Sequence, residues 1–110
     1  MANRFTRGRG LFGSVTVGGG SNIAGIASGT VSVDFGSVSA NTTGSKTVTI
    51  TGVADGDVVV LNPGALDAGL AFAGAAVTAA NTVTVYAVNT TGSAIDNAAV
   101  DFDYLWFDLT

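Results

Sequence analysis

The reactive chemistry open to this 110-residue chain rests on aspartate: there is no His and no Cys, and all eight acidic residues are Asp. Imidazole and thiolate ligation, thiol nucleophiles and disulfides are therefore excluded. Two pairs of carboxylates stand close in sequence, Asp55-Gly56-Asp57 and Asp101-Phe102-Asp103. The second pair falls on one face of a strand, where it could hold a cation or act as an acid–base pair. Calcium wants roughly six to eight oxygens, however, and no loop has the D-x-D-x-D-G spacing. Solvated turn and strand acids are the plainer reading. A hydrolase would rest on Asp and Ser alone, so the chain reads as a non-enzyme with no metal and no cofactor. The rival reading, an Asp-based enzyme, requires an activity that disappears with Asp101→Asn or Asp103→Asn.

Three further motifs are look-alikes. Gly8-Arg9-Gly10-Leu11-Phe12-Gly13 matches G-x-G-x-x-G, but no strand precedes it and Gly18-Gly19-Gly20 denies it a helix. A dinucleotide site needs both. Gly44-Ser45-Lys46-Thr47 lacks the glycine directly before lysine that a phosphate loop requires. Asn41-Thr42-Thr43 and Asn89-Thr90-Thr91 fit the glycosylation sequon, as tripeptides of a Thr-rich chain will by chance.

The elements that would carry these residues are strands. In residues 82–89, Val83, Val85 and Ala87 share one face, and Thr82, Thr84, Tyr86 and Val88 the other. The same alternation puts Val31, Val33 and Phe35 inward over 30–35, and Val48 and Ile50 inward over 46–51. Residues 36–44 read as a loop or a short edge strand around Val38. The Asp-Gly turn of 52–57 leads to Val58-Val59-Val60-Leu61, apolar on both faces as a central strand would be, stopped by Asn62-Pro63-Gly64. Residues 65–70 are the only place for a helical turn, with Gly69 as its cap, and 71–77 can be a strand. Residues 99–109 form the longest strand, read as an outer one, with Phe102, Tyr104 and Trp106 on one face. Asp101, Asp103, Leu105, Phe107 and Leu109 lie on the other. The fold expected is all-β, a small antiparallel β-sandwich of about six to eight strands over residues 30–110.

Charge is segregated. Arg4, Arg7 and Arg9 lie in the first nine positions, Lys46 is the fourth basic residue, and the net charge is −4. Residues 1–29 read as an extended Gly/Arg-rich N-terminal arm that also carries Phe5, Leu11, Phe12, Val15, Val17, Ile23 and Ile26. At about 3.3 Å per residue, such an arm could span some 95 Å and cross a neighbouring subunit. Arg4, Phe5, Arg7, Arg9, Leu11 and Phe12 are the expected docking residues. Three arginines on an acidic body are a weak nucleic-acid footprint. No apolar run reaches the roughly 18 residues of a membrane span, and the N-terminus lacks the apolar stretch of a signal peptide. Neither nucleic acid nor membrane is expected as a partner. Only 11% of residues are charged, which suits a surface meant to be covered. Leu105, Trp106, Phe107 and Leu109 on the last strand are the expected subunit interface.

Gly36-Ser-Val-Ser-Ala-Asn-Thr-Thr, Val48-Thr-Ile-Thr-Gly-Val-Ala-Asp-Gly-Asp-Val-Val, Asp67-Ala-Gly-Leu, Val77-Thr-Ala-Ala-Asn-Thr-Val-Thr-Val and Asn89-Thr-Thr-Gly-Ser-Ala-Ile-Asp together resemble small β-sandwich proteins of tailed bacteriophages. Those are head decoration (cement) or head-fibre proteins. The resemblance covers about residues 30–100 and is a pattern of turns and strands. It implies a virion structural protein on the outer capsid surface, a homotrimer bound to the major capsid protein. The arm lies outside the likeness. A receptor- or glycan-binding module of a fibre or tail is the alternative, with Tyr86, Tyr104 and Trp106 as stacking residues.

Overall fold

The computed structural model describes residues 23–109. Alternating β-branched and small residues build eight strands and no helix among them: β1 (Gly25–Val33), β2 (Gly36–Val38), β3 (Thr43–Thr49), β4 (Val58–Asn62), β5 (Leu70–Ala79), β6 (Thr82–Asn89), β7 (Ile95–Asn97) and β8 (Val100–Asp108). They form three antiparallel sheets with strand orders β1-β8-β4, β3-β6-β5 and β2-β7. The two three-stranded sheets face each other as a β-sandwich, and the apolar phase of each strand lies between them. Val33, Phe102 and Leu61 from one sheet meet Val48, Val83, Val85, Ala87 and Leu70 from the other. Phe35, just beyond β1, and Phe72 of β5 both meet Phe102 edge-on, with ring centroids 6.3 and 5.6 Å away.

The inward faces expected at residues 31–35, 48–50 and 83–87 are the faces the core buries. Other expectations change. The strand expected from Thr30 already begins at Gly25, where it pairs with Asp108. Val58-Val59-Val60-Leu61 is not a central strand but the edge strand β4, and β8, expected outermost, lies between β1 and β4. By strand alternation Val58 and Val60 face out and are exposed, while Leu61 is buried. No helical turn forms at residues 65–70. Instead Asp67 accepts a hydrogen bond from Leu70 N–H at 3.0 Å, closing a four-residue turn whose third position, Gly69, has φ +91°. That positive φ suits glycine and breaks helical geometry. The side chain of Asn97 holds this loop from β7, accepting from Asp67 N–H at 2.7 Å.

Candidate interaction surface

Register decides which residues share the outer face of the β1-β8-β4 sheet. Ile26, Phe107 and Val58 stand on one rung, and Ser28, Leu105 and Val60 on the next. The third rung is polar: Thr30, Asp103 and Asn62. Directly opposed residues in an antiparallel sheet point to the same side, so two apolar rungs meet as a continuous strip. Ile26, Val58, Val60, Leu105 and Leu109 are all exposed on it, Val60 at 55%, and Phe107 is half-buried. Single exposed aliphatic residues are ordinary. Six side by side on one sheet face make a candidate contact surface. The strip ends at the acids: Asp101 and Asp103 are exposed on the same face, and Asp103 accepts a hydrogen bond from Thr30 Oγ1 at 2.9 Å.

One end of this face is held by a buried acid. Asp57 closes the 52–57 turn, its own N–H bonding to Ala54 carbonyl at 3.0 Å, with Gly56 at φ +98°. Its carboxylate accepts Ala54 N–H and Trp106 Nε1–H on Oδ2 and Leu109 N–H on Oδ1, each at 3.0 Å. Burial raises the pKa of Asp57, but these donors, together with a side-chain hydrogen bond to Asp108, outweigh it and hold the carboxyl below its ordinary value. Trp106 lies over Gly52, at φ +103°, where an added Cβ would sit 2.7 Å from the indole. The tryptophan is thus clamped between a glycine and a carboxylate, and it fixes the C-terminal end of β8.

The residues singled out from sequence separate accordingly. Leu105, Phe107 and Leu109 lie together on the outer face, whereas Trp106 points to the inner side and is half-buried. Asp55 is exposed while Asp57 is buried, so that pair is a turn and its clamp rather than two matched carboxylates. Among the described residues, no group of three or more Asp, Glu, His or Cys is placed to hold a metal ion. Tyr104 lies on the inner side over Gly29, and Tyr86 is exposed on the opposite sheet. The three aromatic residues considered for sugar stacking do not share one platform. Arg4, Phe5, Arg7, Arg9, Leu11 and Phe12 lie outside the described residues.

Asn89 was not read as a structural residue, and it is one. Fully buried, it donates from Nδ2 to the carbonyls of Val38 and Ser93 (3.0 and 2.8 Å) and accepts Thr91 N–H and Oγ1–H on Oδ1 (both 2.8 Å). The signal was present: an Asn two residues before a Thr, followed by Gly-Ser, is the composition of an Asx turn. The sequon asparagine is thus consumed inside the fold. Asn89→Ala should cost about 2–3 kcal/mol, since the buried Val38 carbonyl and the Thr91 N–H lose their partner, while the Ser93 carbonyl can still accept from Thr91 Oγ1; the loss is read as a lower urea midpoint at unchanged m-value.

Comparisons with protein-family models, with curated proteins and with solved structures find no match.

Proposed function

We propose that this chain is a virion structural protein, a capsid decoration or cement protein. In this reading it binds the outer surface of the major capsid protein lattice as a homotrimer. The observation that carries an assembly role is the apolar strip of Ile26, Val58, Val60, Leu105, Phe107 and Leu109 on an otherwise polar, weakly charged sandwich. Water contact with such a strip is unfavourable, and a partner surface removes it at roughly 25 cal/mol per Å². The viral setting is supported by the likeness of the turn-and-strand phrases to phage head decoration proteins. The basic residues Arg4, Arg7 and Arg9, with Phe5, Leu11 and Phe12, supply the docking contacts to capsomers. Individually weak contacts suffice, because many copies on a lattice gain avidity.

Leu105→Asp tests the strip. The side chain faces outward, so folding stability should stay within about 0.5 kcal/mol, while self-association and particle binding fall at least about tenfold through the buried charge. Unchanged assembly in a folded Leu105→Asp protein would remove the strip from the interface. Trypsin tests the arm: the free protein should be cut at Arg4, Arg7 and Arg9 but resist at Lys46, which is held in β3. Particle-bound protein should resist at all four. Equal cleavage at the arginines in both states would count against arm docking.

A further inference from the structure

The outer face of the second sheet, β3-β6-β5, is built differently from the apolar strip. Register sets Ser45, Tyr86 and Gly74 on one rung and Thr47, Thr84 and Ala76 on the next. Thr84 Oγ1 shares a 2.9 Å hydrogen bond with Thr78 Oγ1. None of the eight Asp residues lies on β3, β5 or β6. Lys46 pairs with Val85 and so belongs to the inward phase of β3. The outer face is therefore uncharged. Hydroxyl-bearing residues suit any exposed strand, and alone they mark nothing.

A separate observation singles out the rung of Tyr86. β5 shifts register between Phe72 and Gly74, so Ala73 is an extra residue and Gly74 comes opposite Tyr86, at φ +131°. Nothing lies within 4 Å of the place where a Cβ on Gly74 would stand. Tyr86 is on the central strand of its sheet, where cross-strand neighbours ordinarily pack against an aromatic ring. Its neighbours here are only Ser45 and Gly74, and the ring stays exposed. A bulge re-aims side chains, and a glycine inside a strand admits a ligand close to the backbone. Tyr86 thus has open space on its β5 side and the hydroxyls of Ser45, Thr47 and Thr84 on the adjoining positions.

We propose that this face binds a neutral polysaccharide, with one hexopyranose ring stacked on Tyr86 in the space over Gly74. The sugar hydroxyls bond to Ser45, Thr47 and Thr84. A pyranose presents C–H groups on its face and hydroxyls around its rim, which matches an aromatic ring bordered by hydroxyls. Charge complementarity selects this occupant. The uncharged face has nothing to pair with a phosphate, a sulfate or a basic segment, whose desolvation would go uncompensated, whereas a neutral sugar requires no counter-charge. The site lies on the opposite side of the sandwich from the apolar strip, so it is independent of the assembly role. A flat site with one aromatic ring binds weakly, with Kd on the order of 1 mM.

An NMR titration of the full-length protein with cellopentaose, maltopentaose and chitopentaose tests the site. At least one of these sugars should give saturable shifts centred on the amides of Ser45, Gly74, Thr84 and Tyr86. Tyr86→Ala, with its fold checked from the same spectra, should weaken binding at least about tenfold. Tyr86→Phe keeps the ring and should stay within about threefold. Leu105→Asp, on the far face, should bind sugar as the unmodified protein does, which separates this site from the assembly reading. The proposal is overturned by an absence of shifts at about 10 mM of every one of these sugars. Shifts that map to the apolar strip, or binding that survives in a folded Tyr86→Ala protein, overturn it as well.

Discussion

Phe102→Ala should lower folding stability by about 3–5 kcal/mol, a large share of the roughly 5–15 kcal/mol available to a domain of this size. The ring is fully buried at the middle of the sandwich. It stands on β8, the central strand of one sheet, and meets Phe72 of the facing sheet and Phe35 from the loop after β1. Truncation therefore removes the contact that joins the two layers and leaves a cavity whose walls belong to three segments. Such walls relax little, because each is pinned by its own hydrogen-bonded register, and poor relaxation puts the cost at the high end. Phe102→Leu keeps most of the volume and should cost less, about 1–2 kcal/mol. Urea unfolding followed by circular dichroism measures both. A loss below about 1 kcal/mol for the alanine variant would mean that the two sheets do not share this core.

Three residues along the same strand, the sign of the argument reverses. Leu105 faces out, and its truncation should hardly move the urea midpoint. On the proposed function, stability and assembly fall on opposite faces of one strand. The period of two makes the division strict, since no residue of β8 serves both faces.

That period is also what made much of the fold legible. Val31 and Val33, Val48 and Ile50, and Val83, Val85 and Ala87 declare their inward face by alternating with Thr, Ser and Asp. Strand order was not legible in the same way. Val58-Val59-Val60-Leu61 is apolar throughout, and a strand is apolar throughout either when covered on both faces by its own fold or when one face awaits a partner. Sequence alone does not separate these cases; in the structure Val58 and Val60 are exposed while Leu61 is buried, so one face of β4 is open. The surface strip was therefore half visible. Leu105, Phe107 and Leu109 stood out as surplus apolar residues on β8, while Ile26, Val58 and Val60 join them only through register with β1 and β4. The glycines around Ile26 place it in the arm when read from sequence, yet Gly25 and Gly29 lie within a regular strand. Gly29 is where Tyr104 lies, with the phenol oxygen 2.6 Å from an added Cβ, so the glycine makes room for a ring rather than loosening the chain. Asp57 is the clearest case of hidden purpose. Two of its three donors, from Trp106 and Leu109, lie about fifty residues downstream, beyond the reach of any local motif.

Asp57→Ala should cost about 2–4 kcal/mol at neutral pH. Three donors lose a charged acceptor, and the shallow site lets water recover part of that loss. The pH dependence has a definite sign. The folded-state pKa of Asp57 lies below its ordinary value of 3.8, so its contribution is fully present above that value and is lost as pH falls through the lower folded pKa. Asp57→Asn keeps the shape but turns an amide donor toward N–H groups. Its stability deficit relative to the unmodified protein should be largest near neutrality and shrink as the pH falls through the ordinary carboxylate value and then through the lower folded pKa. A difference measurement of this kind removes the contribution of the other carboxylates, provided they respond independently. The only tryptophan is itself bonded to the carboxylate, so Trp106 fluorescence should titrate with Asp57 in the unmodified protein and lose that transition in Asp57→Asn. A deficit that is independent of pH would mean that Asp57 acts through packing and not through its charge. Because the same carboxylate holds Leu109 N–H, its protonation should also loosen the end of the apolar strip. Acid should then weaken assembly at the pH where the Trp106 signal changes, ahead of global unfolding, and Asp57→Asn should assemble with an affinity that no longer varies across that interval.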